Sequence, residues 1–236
     1  MNYLLIFAGI QNLAQSTTPI NDKGAEATEI SLNFIDLAFK GGWIMIPILV
    51  LSAIAMYIFF ERYYAIRKAA KKDSNFMNRI RDYIHDGKID SAVALCDSNN
   101  TPVSRMISKG IKRIGRPLND VNAAIENIGN LEVSKLEKNL PTLATVAGAA
   151  PMIGFLGTVM GMIQAFYDMS NAGNNIDISL LSNGIYTAMV TTVAGLIVGI
   201  IAYFAYNILV AKVEKVVFNM EATTTEFMDL LNEPIK

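Results

Sequence analysis

The chemistry open to this chain rests on threonine hydroxyls set in apolar surroundings. Thr142, Thr145 and Thr158 fall in one long uncharged stretch, and Thr187, Thr191 and Thr192 fall in the next. A hydroxyl can donate one hydrogen bond and accept others. Hydroxyls grouped at one depth can therefore solvate water or an acid. A threonine in an apolar helix can also return its proton to the carbonyl four residues back. Either reading is open for one residue alone. Grouping favours a polar lumen, because polar positions in a membrane face a bundle interior or a water-filled path. Titratable groups are missing. From 143 to 167 the only ionisable side chain is Tyr167, and from 178 to 211 there is no Asp, Glu, Lys, Arg or His. A proton path normally needs such a group, so either there is none here or a partner chain brings the carboxylate.

The rest of the chain offers little for catalysis. His85 is the only histidine and Cys96 the only cysteine. A lone cysteine makes neither an intramolecular disulfide nor a metal site, and Cys96 reads as a small buried apolar residue. No nucleophile–base pair, HExxH spacing or phosphate loop is present. We expect no enzyme activity, cofactor or metal. A net charge of −1 gives no reason to expect nucleic acid.

Small residues form the second pattern. Gly148, Gly154, Gly157 and Gly161 mark the first uncharged stretch, and Gly184, Ala188, Gly195, Gly199 and Ala202 the second. Small residues at four-residue spacing let helix backbones approach closely in lipid. Gly154, Gly157, Gly161, Gly195 and Gly199 are the expected packing positions. Both stretches are rich in small residues on more than one face, which suggests several neighbours and hence an oligomer.

These residues must be carried by membrane helices. Only 17% of the chain is charged, while 52% is apolar and gathered in blocks. Uncharged apolar runs of about 20 residues read as transmembrane helices. The expected architecture is an all-α integral membrane protein with three spans, at 43–60, 142–167 and 179–210. Trp43 and the Tyr63–Tyr64 pair would lie at the interfaces of the first. Residues 1–42 form an arm, with a short apolar run at 4–10 read as a retained interfacial segment in preference to a cleaved signal. Residues 61–141 read as a charged helical domain. In it Ile80, Ile84, Val93 and Leu95 mark amphipathic helices, and Val121, Ile125, Ile128, Leu131, Leu136 and Leu140 form a further stripe. Pro141 is expected to interrupt the chain, and 168–178 to form a polar loop. The third span, free of proline, is expected to run on through 211–236 on the stripe Val213, Val216, Val217, Met220, Phe227, Leu230 and Leu231. Fifteen of the twenty Lys and Arg lie between 61 and 140. By the positive-inside rule that segment and the tail are cytoplasmic, while the N-terminus and the 168–178 loop are outside.

The two apolar stretches resemble known signatures. Residues 150–161, APMIGFLGTVMG, are similar to the second span of ExbB and TolQ, and residues 184–196, GIYTAMVTTVAGL, to their third. Tyr206-Asn207, Leu95-Cys96 and Thr101-Pro102-Val103 fit the same pattern. The resemblance runs from about residue 32 to the end and points to the MotA/TolQ/ExbB proton-channel family, closest to ExbB. It implies a homopentamer around a central pore in the bacterial inner membrane. Two ExbD- or TolR-like single-span helices, each with a membrane aspartate, would occupy that pore. Proton-motive force would drive work at the outer membrane, through a TonB-like transducer in the ExbB branch. Thr158 and Thr192 match the family's pore-facing threonines, and Thr187 and Thr191 would extend that path. Many relatives carry glutamate where Thr187 stands, so that acid's role does not carry over. Flagellar relatives have four spans, against three here. A TolQ-like envelope role, a gliding-type motor and a non-conducting scaffold are the alternatives.

Overall fold

The computed structural model describes residues 41–71, 73, 75–171 and 178–233. All of them lie in one compact unit, residues 35–236. The apolar run at 4–10 and the arm as a whole fall outside the described residues, apart from residues 41 and 42. The described residues are helical almost throughout: α1 (Met45–Ala69), α2 (Phe76–His85), α3 (Ile89–Asn99), α4 (Pro102–Ile111), α5 (Leu118–Glu137), α6 (Leu140–Asn171) and α7 (Ile178–Asn232).

Local chemistry sets the ends of the short helices. Gly87 follows α2 with φ +71, and Asn100 closes α3 in the left-handed region with φ 43, a conformation that glycine and asparagine tolerate best. Thr101 caps α4 with a reciprocal box, accepting from the Ser104 N–H while its own N–H donates to the Ser104 hydroxyl. Pro102 then takes the first helical position, where a missing N–H costs nothing.

Three of the helices are long and apolar enough to cross a membrane. With 55 residues α7 is the longest, roughly 80 Å at 1.5 Å per residue. A hydrocarbon core is about 30 Å thick, so much of α7 must stand outside it. There Val213, Val216, Met220 and Phe227 are buried, sharing one core with Ile80, Cys96, Ile107, Ile111, Val121 and Ile125 of α2 to α5. The bundle closes tightly at Gly110, where a Cβ would lie 2.7 Å from Ile125 and 2.8 Å from Phe227.

The structure differs from the sequence expectations in three places. The break before the second long apolar helix falls at Lys138 and Asn139, not at Pro141. Asn139 takes φ 66, and Pro141 sits in the first turn of α6, where no intrahelical N–H is needed. The helix also runs on to Asn171, with Gln164 donating to the Asp168 carboxylate at 2.8 Å. Lastly, Leu131 is 57% exposed. The inward stripe of α5 runs through Val121, Ile125, Gly129, Glu132 and Leu136, so a carboxylate takes the place expected for an apolar side chain.

Candidate functional site

Helices α6 and α7 pack antiparallel through their glycines. A Cβ on Gly154 would meet Gly195 and Thr192 backbone at 3.2 Å, and one on Gly161 would meet the Ala188 side chain at 2.8 Å. A Cβ on Gly184 would lie 2.4 Å from Ala165, and one on Gly199 2.4 Å from the Pro151 ring. At Gly157 the neighbour is the Thr191 hydroxyl, 2.3 Å from the position a Cβ would take. All five glycines singled out from the sequence therefore face one seam within a single chain. The seam accounts for the packing of each of the five. Gly148 alone of that series has open space within 4 Å.

Helix α1 covers one flank of the seam. Met45 and Ile48 pack on Val190, with Ala194, Val198 and Ile153 against them. Thr187 lies on the same stripe of α7 as Val190, Ala194 and Val198, so it faces the α1 flank, half-buried. Thr191 is 1% exposed in the seam and donates to the Ala188 carbonyl at 2.8 Å. Thr192 lies two positions from both Val190 and Ala194, about 200° around the helix from each, and so turns to the opposite flank. Thr158, five positions beyond Ile153, turns the same way on α6. The four threonines thus divide into two pairs: Thr158 and Thr192 on the flank away from α1, Thr187 and Thr191 toward it. The sequence could not show this, because it does not say where α1 docks.

Each hydroxyl with a defined partner has already committed its proton. Thr158 Oγ1 donates to the Phe155 carbonyl at 2.6 Å. Thr192 Oγ1 donates across the seam to the Gly154 carbonyl at 2.9 Å. Two acceptor oxygens cannot bond without a proton between them, and only the threonine has one. What Thr158 and Thr192 have left to offer is lone pairs. Such a site accepts from a protonated acid or from water, but does not donate to a carboxylate without breaking an existing bond.

Sequence reasoning missed a charged cluster where the apolar part of α1 ends. Arg62 is the one charged residue on the inward stripe of α1, 7% exposed. It donates to the Lys135 carbonyl at 3.0 Å and pairs with Glu61. Glu61 in turn accepts from Asn139 Nδ2 at 3.2 Å. Buried Glu132 accepts from Lys135 at 2.6 Å and pairs with Arg105. The available signal was Glu132 itself, a charge on an apolar stripe. Arg62 carried none, since a basic residue at a membrane helix end reads as an interfacial anchor. Burial, with the neighbouring Asp97 carboxylate adding to it, pushes the Cys96 thiol up to about 12. A cavity of about 580 Å³ in the extramembrane bundle is lined in part by Lys71, Asp73, Asn99, Thr101, Asn219 and Glu226, and none of the four threonines borders it. Among the described residues no three His, Cys, Asp or Glu side chains gather as a metal site would require.

The sequence profile of the MotA/TolQ/ExbB proton channel family matches residues 98–222, which span α4 to α7 and both threonine pairs. The chain belongs to this family. Its members are membrane proteins, in agreement with the three long apolar helices. Among its relatives is a biopolymer transport protein ExbB homolog of Methanothermobacter thermautotrophicus, 28% identical over 78% of this chain and 65% of that protein. The Tol-Pal system protein TolQ of Haemophilus influenzae is 28% identical over 85% of this chain and 94% of its own length. The biopolymer transport protein ExbB of Aquifex aeolicus is 39% identical over 37% of this chain and 59% of its own. Both names thus occur among the family members similar to this chain, and the ExbB and TolQ branches are not separated by similarity.

Proposed function

We propose that this protein is the channel-forming stator subunit of an inner-membrane motor, with the flank of α6 and α7 away from α1 forming one wall of its proton path. The supporting observation is that Thr158 and Thr192 share that flank, with their protons committed to backbone carbonyls, in helices whose apolar stretches hold no carboxylate. Other copies, in a pentamer, complete the wall. A single-span ExbD- or TolR-like partner brings the aspartate that titrates beside them. Threonine lone pairs accept from the protonated acid and favour it over the carboxylate, so they help the partner's aspartate take up its proton within the membrane. A threonine with a free proton would serve both charge states alike; these two do not. Each proton crossing the field yields about 2.3 kcal/mol per 100 mV.

The N-terminus is periplasmic and the bundle of α2 to α5 cytoplasmic on this reading, as the distribution of Lys and Arg requires. The work done at the outer membrane is ExbB-like, on TonB-dependent transport. A TolQ-like role is the second reading, favoured by the TolQ relative that this chain matches over 94% of its length. A gliding-type motor and a non-conducting scaffold remain as alternatives. The test is the double variant Thr158→Val with Thr192→Val, which keeps side-chain shape and removes both hydroxyls. Purified with its partner and placed in vesicles, the assembled variant should lose proton flux. Wild-type flux from the assembled double variant would overturn the path.

A further inference from the structure

Helix α5 ends at Glu137 and α6 begins at Leu140, and the whole break lies in two residues. Lys138 is extended, with φ −50 and ψ 134, and Asn139 is left-handed, with φ 66. Two neighbouring side chains of α1 reach across this break. Before it, Arg62 donates to the carbonyl of Lys135 at 3.0 Å. That carbonyl is in the last turn of α5, where no intrahelical donor reaches it. After it, Asn139 Nδ2 donates to Glu61 at 3.2 Å, and the other Glu61 oxygen pairs with Arg62. The ion pair is therefore a clamp with one jaw on each side of the break. Its anchor is α1, which runs unbroken from Met45 to Ala69 and so passes from the apolar layer into the bundle. On the far side Lys135 joins buried Glu132, and Glu132 joins Arg105 of α4.

We propose that Glu61, Arg62 and Asn139 are positioning residues that set the angle at which α6 leaves the extramembrane bundle. Any swivel of α6 against α5 must turn about Lys138 and Asn139, and to do so it must separate Asn139 from Glu61 or Lys135 from Arg62. Arg62 is too buried for water to replace a lost acceptor cheaply. The junction therefore holds one angle while the clamp is closed and loses definition when it opens. The clamp does not rest on the proton-path reading, since it would hold α6 whatever that helix carries.

The test is a distance between spin labels at Asn130→Cys on α5 and Met152→Cys on α6, in a Cys96→Ser background. The full chain is measured in lipid nanodiscs and diluted with unlabelled chain, so that only intramolecular distances are read. The unaltered junction should give a single narrow distribution. Asn139→Gly keeps the left-handed backbone, which glycine accepts, but removes the side chain that holds α6 to Glu61, and should broaden the distribution. Arg62→Gln should broaden it, and Asn139→Ala should shift it by favouring a continuous helix. Arg62→Lys, which keeps the charge but loses the fork, covers the case in which Arg62→Gln does not fold, and should broaden the distribution in part. Unchanged narrow distributions in the Arg62 and Asn139 variants would overturn the proposal. The readout needs no proton flux, so failure of the channel reading would leave it standing.

Discussion

Replacing Gly195 with alanine should loosen the α6–α7 seam. A Cβ there would lie 2.6 Å from the Ala150 carbonyl oxygen, 2.9 Å from Gly154 Cα and 3.1 Å from Gly154 N. All three are backbone atoms, so no rotamer change relieves the clash. Such contacts settle at about 3.5 Å or more, which requires the helices to part locally by about 1 Å. The Thr192 hydroxyl, now 2.9 Å from the Gly154 carbonyl, would be carried beyond bonding distance. Overpacking of this kind costs about 1–3 kcal/mol, and an interhelical hydrogen bond in a membrane is worth about 1 kcal/mol. Alanine's better helix propensity returns about 1 kcal/mol. The net loss is about 1–3 kcal/mol, or roughly 5- to 150-fold in the folding equilibrium. The assay is unfolding of the purified chain by increasing SDS in mixed micelles, followed by circular dichroism. Gly148→Ala is the control, since nothing lies within 4 Å of its would-be Cβ, and it should be neutral or stabilising by up to about 1 kcal/mol. Wild-type stability in Gly195→Ala, or equal losses in both variants, would refute the argument.

Three further outcomes concern Gly157 and Cys96. Gly157→Ala places its methyl against the Thr191 side chain and not against backbone; it should destabilise the hairpin, and adding Thr191→Ala should restore most of the loss in a double-mutant cycle read by the same SDS titration. Cys96, 1% exposed with its thiol near 12 against an ordinary 9.0, should resist iodoacetamide at neutral pH until the chain is unfolded. The unfolded chain loses that proton near pH 9 while the folded chain keeps it, so the thiol's contribution to stability is complete below pH 9 and falls as pH rises toward 12. A Cys96→Ala variant should lack that alkaline component in unfolding curves taken across this range.

Much of the helical layout was legible because burial in lipid leaves a blunt record. An uncharged apolar run of about 20 residues has no polar face to turn toward water, so it belongs in lipid. Helix α7 could be read as continuous because no proline interrupts it. The break before α6 was misread for a local reason. Pro141 is the more conspicuous signal, yet a proline in the first turn is harmless, whereas Asn139 interrupts the helix through a backbone angle that its identity permits but does not announce. Leu131 misled in a similar way: it extended an apolar stripe on paper, while Glu132, held by Arg105 and Lys135, is the residue that turns inward.

The sequence by itself determined that the chain has three stretches long and apolar enough to cross a membrane, and that the second and third carry hydroxyls and glycines without a carboxylate. These are properties of residue type, and transfer into lipid reads residue type directly. The tertiary structure decided how those residues are used. It put all five glycines into one intrachain seam, because only there do two backbones come close enough to exclude a Cβ. It divided Thr158 and Thr192 from Thr187 and Thr191, because α1 docks on one flank of the hairpin. It also paired Glu61 and Arg62 with residues more than seventy positions away. Composition and spacing along one helix do not contain the rotation of one helix against another, and on that rotation depends which side chains meet.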